Sequence, residues 1–367
     1  MKYFITFFLL MIGRMTFAQK DVYLFIGTYT SGKSQGIYVY KFNTENADNH
    51  FVTAVGASNP SYLAISPNKK FVYAVNENKN GIVTAYSFNK AAEKLMPINT
   101  QPSGGSDPCF VSIDASGKWL FTGNYSSGTV ALFPLQPSGA LDPARQIIQH
   151  SGSGPDTGRQ KSAHVHSTNL SGDQRYLYVA DLGTDKIMTY NFDNKPGTLF
   201  PASIPFTSLK PGSGPRHMAF GKGNTAVYIV EEMTGYISMY AVNKDKLRFS
   251  QRTSSLPKDF KGFVSAADVH VSQEGNFLYC SNRGDLNTIS IFRINHFNGR
   301  LSLINNQPTL GKTPRNFNFD PSGNFLLVAN QNSDEIVIFR IDKKTGLLTD
   351  TGKRISVPSP VCIKWID

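Results

Sequence analysis

The chain is long enough, at 367 residues, for two domains, and it is apolar enough, at 40% hydrophobic against 17% charged residues, to bury a large core. Its formal charge of +11 is spread along the sequence rather than gathered into a basic stripe with stacking aromatics. That pattern favours small anionic partners and argues against nucleic acid.

The first residues read as an export signal. Lys2 precedes an apolar run over residues 3–12, and Thr16-Phe17-Ala18 places small residues at the −3 and −1 positions of a cleavage site. Cleavage is expected before Gln19, giving a signal peptide at 1–18, a mature chain of 19–367, and a periplasmic or secreted protein. The run is too short to anchor the chain across a bilayer, and no Cys follows it to carry a lipid, so no stable membrane anchor is expected. Lys2 and Arg14 leave with the signal, lowering the formal charge from +11 to +9.

From Val22 onward one pattern repeats. One copy reads Pro60-Ser61-Tyr62-Leu63-Ala64-Ile65-Ser66-Pro67, then Phe71-Val72-Tyr73-Ala74-Val75-Asn76-Glu77, then a turn and Ile82-Val83-Thr84-Ala85-Tyr86. The middle runs begin at Tyr23, Phe71, Trp119, Tyr176, Ala226, Phe277 and Phe325, in steps of 48 to 57 residues. No segment has a sustained helical period, and 31 Gly and 20 Pro supply many tight turns. A regular period near 50 with three or four strands per unit predicts an all-β, seven-bladed β-propeller forming one domain.

The first copy lacks an opening strand, and residues 360–366 match an opening strand with nothing after it. The two fragments complement each other. The C-terminal strand is therefore expected to pair with the N-terminal strands and close the ring, leaving no open edge. A closed ring of this kind is expected to be a monomer.

Adjacent strands of a blade are antiparallel, so the start of the first strand lies beside the end of the second, at one mouth of the central channel. The residue ten before each middle run is Ser61, Cys109, His166, Arg216, Ala267 or Arg315, with Val361 in the split unit. The seventh residue of each middle run is Tyr29, Glu77, Tyr125, Leu182, Glu232, Arg283 or Gln331. These variable columns bring His166, Arg216, Glu232, Arg283 and Arg315 to one rim. His164 lies two residues before His166, on the same face of an extended chain, and His217 points the other way. The sixth column is polar in every unit, from Thr28 to Asn330, which predicts repeated structural hydrogen bonds, with Asp181 and Glu231 able to double as site residues. A cluster of histidines, arginines and a carboxylate fits an anion-binding site with acid–base groups. The lesser reading has Glu232 as a structural bridge to Arg216 or Arg283.

An insertion over 151–162 leads into His164 on the same mouth, and its Arg159 and Lys161 could reach a bound anion. A second long connection, 251–265, borders the Ala267 unit. Cys109, Cys280 and Cys362 show no metal-site spacing and read as small buried hydrophobes, although spacing alone leaves one disulfide open.

Ser162-Ala163-His164-Val165-His166, the run Asp181-Leu182-Gly183-Thr184-Asp185, Gly214-Pro215-Arg216-His217, Glu231-Glu232 and Ser281-Asn282-Arg283 occur in that order. Together with the Asp320-Pro321-Ser322-Gly323 turn, they resemble the seven-bladed propeller lactonases, which group bacterial 6-phosphogluconolactonases with carboxy-muconate lactonizing enzymes. The resemblance runs from about Val22 to the end. It implies a site without cofactor or metal, with His166, Arg216, Glu232 and Arg283 at the positions proposed as catalytic. His164, Asp181, His217 and Arg315 are expected to bind substrate, a small anionic sugar-acid lactone. The alternatives are lactonization of a muconate-type acid and a non-catalytic ligand-binding or scaffold propeller.

Overall fold

The computed structural model describes residues 21–367, so the export signal expected at 1–18 lies outside the described residues. Those residues form seven four-stranded antiparallel sheets arranged as propeller blades. Blade 1 is composite. Its inner strand is Pro360–Ile366, followed outward by Asp21–Thr28, Gly36–Asn43 and Asn49–Gly56. Blades 2 to 7 span residues 62–102, 108–149, 165–208, 215–254, 264–308 and 314–356. The closing ladder runs from Tyr23 opposite Ile366 to Thr28 opposite Pro360, as the complementary half-copies predict.

Each middle strand is packed on both faces by its neighbours, which is why it reads as an unbroken apolar run. Trp119–Asn124 and Phe325–Asn330 are buried at every residue. The outer strands have one face in solvent and carry isolated exposed groups such as Phe51 and Phe249. Tyrosines in the middle strands also latch one blade to the next. The hydroxyls of Tyr73, Tyr178, Tyr228 and Tyr279 donate to the carbonyls of Gly139, Lys244, Gly299 and Gly346, each in the outer hairpin of the following blade. Trp119 Nε1 donates to Asn194 O in the same way. A buried hydroxyl needs a partner, so the latch fixes the spacing of the blades as well as joining them.

The sixth column is structural throughout. Thr28 donates to Gly36 O, Asn76 to Ser58 O, Asn124 to Ser103 O, Asn282 to Ser290 Oγ and Asn330 to Thr309 O. Glu231 is fully buried and accepts from Thr234, Ser238 and Arg252. The expected connection over 251–265 is shorter than the sequence suggested, because Lys246–Ser254 continues as the outer strand of blade 5. Only Ser255 to Phe263 is loop.

A β-bulge interrupts the inner ladder at the same place in six of the seven blades, all but blade 2. The pairing passes from Pro108 to Phe110, Val165 to Ser167, Pro215 to Met218, Ala266 to Val269, Pro314 to Asn316 and Pro360 to Cys362. The skipped residues include Cys109, His166, Arg216, Ala267, Arg315 and Val361, six of the seven members of the first variable column; the seventh, Ser61, stands just before the inner strand Tyr62–Ile65 of blade 2. A bulged residue leaves the ladder and turns its side chain away from the regular alternation. Here it turns to the channel mouth.

Candidate active site

Glu232 follows the middle strand Ala226–Glu231 and is locked between two blades. Its amide donates to Gly214 O at 2.8 Å and its carbonyl accepts from Ala266 N at 3.0 Å. Asp185, in the blade 4 turn, accepts from Gly212 N and Gly214 N, both at 2.7 Å, and so holds the entry to Pro215-Arg216. Gly214 has φ +62° and its missing Cβ would meet Met233, so this tight approach requires glycine.

Three guanidinium groups converge on the buried carboxylate. Arg216 Nε lies 2.9 Å from Oε2, Arg283 Nη2 3.2 Å from Oε2, and Arg159 Nη2 2.6 Å from Oε1. His166 Nε2 is 3.9 Å from Oε2. The Arg216 approach is a charge contact without hydrogen-bond alignment, since its buried Nε has no hydrogen-bond partner. The same guanidinium is anchored elsewhere, through Nη1 to Ala267 O at 2.6 Å, and Arg283 donates to Ser265 O and Ala266 O.

Burial alone would raise the Glu232 pKa, but Arg283, Arg216 and Arg159 outweigh it and hold the carboxylate at about 2. Burial lowers Arg283 to about 9 despite Glu232, and also lowers Arg216. Burial, helped by the charges of Arg216, His217 and Arg315, pushes His166 well below its ordinary value of 6.5, so it is a neutral imidazole at neutral pH. An ionised carboxylate and a neutral imidazole, both buried, therefore face each other among cations.

Beneath them His217 connects Arg216 to Asp268. Arg216 Nη1 lies 3.2 Å from His217 Nε2, and His217 Nδ1 lies 2.8 Å from Asp268 Oδ1. A guanidinium has no acceptor, so Nε2 must accept and Nδ1 must carry the proton donated to Asp268. Asp268 also binds His270 at 3.0 Å and Asn316 at 2.5 Å. His217 thus points away from the rim, as its alternation predicted, and positions Arg216 rather than facing the mouth. It lines a separate cavity of about 680 Å³, together with Tyr62, Phe110, Asp268, His270 and Trp365.

The remaining candidates divide. Arg315 reaches a neighbouring group in which its Nη2 lies 4.0 Å from Glu77 Oε1, its guanidinium sits over the Tyr29 ring at 5.2 Å, and Tyr29 donates to Glu77 at 2.9 Å. His164 stacks on Tyr125 at 4.5 Å, with Nδ1 2.9 Å from Tyr125 O, and forms a wall of the mouth without touching Glu232. Asp181 is not available to a substrate. Oδ1 accepts from His164 N and Gly183 N, Oδ2 meets His150 Nδ1 at 3.0 Å, and the residue is buried. Asp181 holds the turn that presents the histidine strand.

Sequence columns overlooked Asp268, which the two-residue bulge beside Ala267 places under the site, and left Tyr29 and Glu77 unassigned although both stand in the seventh column. All three cysteines are free and buried, and burial keeps the Cys109 thiol protonated 3.7 Å from His166 Nδ1, so it is no nucleophile. Among the described residues, no group of three or more His, Cys, Asp or Glu side chains is placed to hold a metal ion.

The buried titrating groups predict acid sensitivity. His166 and His217 have folded pKa values below their unfolded ones, His217 at about 4 through burial and Arg216. Each contributes stability present above about 6.5 and lost as pH falls toward the folded value. Glu232 and Asp268, also depressed, add a second loss below the ordinary carboxylate range. Melting temperature measured from pH 8 to 4 should begin to fall near pH 6.5. A profile flat down to pH 5 would mean that these imidazoles are not held neutral.

The comparisons with known proteins agree with this architecture. The family described as "Lactonase, 7-bladed beta-propeller" matches residues 23–365. A protein of Formosa agariphila named 6-phosphogluconolactonase is 40% identical, with 89% of this chain and 94% of the relative aligned. The Bacillus subtilis protein of the same name is 35% identical over 93% of this chain and 97% of its own length. Among solved structures, a putative 6-phosphogluconolactonase from Bacteroides fragilis superposes with TM-score 0.91 at 37% identity, covering 95% of this chain and 98% of that one. A periplasmic gluconolactonase of Pseudomonas aeruginosa also gives TM-score 0.91, at 34% identity over 95% and 99%. The chain belongs to the seven-bladed β-propeller lactonases.

Proposed function

We propose that this protein hydrolyses a small sugar-acid lactone of the 6-phosphogluconolactone type at the channel mouth. The observation that carries this reading is one buried carboxylate held among three guanidiniums and faced by a neutral imidazole. Water attacks the lactone carbonyl and gives its proton to the Glu232–His166 pair, a step typically contributing ~10²–10⁴-fold. Arg216 and Arg283 stabilise the oxyanion. The ring C–O bond then breaks and that proton passes to the departing ring oxygen, giving an alcohol and a carboxylic acid, which ionises and releases one proton to solvent. The excess of arginine over carboxylate suits a substrate that brings its own negative charge, with Arg315 and Tyr29 extending the anion-binding surface.

With an export signal expected at residues 1–18, the site of action in this reading lies outside the cytoplasm, and the substrate is an anionic sugar-acid lactone met there. The relative from Pseudomonas aeruginosa is described as a periplasmic gluconolactonase. A pH-stat panel of phosphorylated and unphosphorylated aldonolactones tests both parts at once. Turnover of no lactone overturns the hydrolase reading.

Arg283→Ala should weaken binding of a sugar-acid product by roughly tenfold or more, since a charged hydrogen bond is worth ~1.5–3 kcal/mol. The remaining affinity should depend less on salt. Arg216→Ala should do the same and also melt lower, because it leaves His217 and Ala267 O without their donor. Calorimetric titration that finds unchanged affinity in both variants would make these arginines ordinary structural charges.

A further inference from the structure

Glu232 is held unequally at its two oxygens. Oε2 faces Arg216, Arg283 and His166, all buried and fixed by the inner and middle strands of the blades. Among the described residues Oε1 has a single charged partner, Arg159, whose side chain is 42% exposed and comes from the 151–162 insertion rather than from a blade.

The insertion is not a loose flap. Asp156 Oδ1 accepts from Gly158 N and Arg159 N, both at 2.8 Å. Gln160 is fully buried, and its Nε2 donates to Leu182 O at 2.8 Å. Gly154 N donates to Gln160 O at 3.0 Å, and Asp156 N to Gln160 Oε1 at 3.2 Å. The backbone on both sides of Arg159 is therefore clamped, and only its long side chain is free to change partner. Its second contact, Nη2 to Tyr125 Oη at 3.4 Å, is weak. With Arg159 in place, Oε1 carries that guanidinium at 2.6 Å and the Glu232 side chain is 7% exposed. Withdrawing Arg159 would remove the charge contact at Oε1 and leave the three at Oε2.

We infer that Arg159 is an anion-operated latch on Glu232, released when a phosphate or carboxylate on the substrate takes the guanidinium. The exchange is one ion pair for another, so it costs little when the substrate is anionic and more when it is neutral. A neutral lactone must break the Arg159–Glu232 pair with nothing to replace it. Substrate charge then enters turnover as well as binding, and Arg159 is a specificity-determining residue supplied by the insertion. This rests on the hydrolytic role proposed for Glu232.

The test compares wild type, Arg159→Gln and Arg159→Lys on 6-phosphogluconolactone and glucono-1,5-lactone by pH-stat. Calorimetry with 6-phosphogluconate and gluconate accompanies the kinetics. Wild type should show the higher kcat on the phosphorylated lactone. In Arg159→Gln, kcat on the neutral lactone should rise by roughly fivefold, the scale of a partly exposed ion pair. In the same variant kcat/KM on the phosphorylated lactone should fall about tenfold, as expected for a lost charged hydrogen bond. Arg159→Lys should keep most of the preference for the anion. Equal losses on both lactones would place Arg159 in the general machinery and overturn the latch. Unchanged kinetics on both would make it a surface contact, with the same consequence. If wild type hydrolyses neither lactone, the hydrolase reading fails, and binding decides the rest. Loss of the preference for 6-phosphogluconate over gluconate in Arg159→Gln supports the anion contact, and retention of that preference overturns it.

Discussion

Glu232→Gln should lose turnover by about 10²–10⁴-fold, the range of a removed general base, while still binding a sugar-acid product. The structure adds a second effect. Arg216 and Arg283 are buried against Oε2, and removing the charge leaves them uncompensated, a change that typically costs ~3–5 kcal/mol. The variant should therefore melt well below wild type. An anionic product brings back the missing charge, so 6-phosphogluconate should restore more melting temperature to Glu232→Gln than to wild type. His166→Gln is the companion. It removes no buried charge, so a rate loss there should come with nearly normal melting and binding. Full turnover in Glu232→Gln would remove the carboxylate from the mechanism and leave His166 as the base.

Truncation after Gly352 should yield aggregating protein. It deletes Pro360–Ile366, the only partner of one side of Asp21–Thr28, and exposes that edge along with the buried faces of Leu24 and Ile26. The same cut removes the end of the outer strand Leu348–Ser356. Truncation after Val357 keeps that outer strand and isolates the closing strand. A monomer with unchanged melting in the second variant would refute closure by the C-terminal strand.

The ring was legible in the sequence because each middle strand is buried on both faces and so announces itself as a continuous apolar run. Closure was legible because two half-copies were each missing what the other had. The rim residues could be aligned because their bulge recurs at one place in the repeat, so a fixed offset of ten residues finds the skipped position in blade after blade. What the repeat could not show was anything outside it. Arg159 belongs to an insertion, so no column predicts its partner. Asp268 lies one residue past the column, in a bulge made two residues wide, and a fixed offset reads the small Ala267 instead. Asp181 looked available because a column of hydrogen-bonding residues does not say whether both carboxylate oxygens are already taken. Its partner His150 precedes the insertion, far from any position the repeat would align with it.

The recurring bulge also bears on how such a protein can change its substrate. A residue outside the ladder makes no pairing that its neighbours depend on, so replacing it leaves the sheet intact. The mouth behaves as a ring of interchangeable sockets, some filled by large reactive groups and others by Ser61, Cys109, Ala267 and Val361. The small occupants are vacancies in a combinatorial sense. Lengthening one of them changes what the channel accepts while the blades that carry it stay as they are, and evolution can revise the chemistry here one socket at a time.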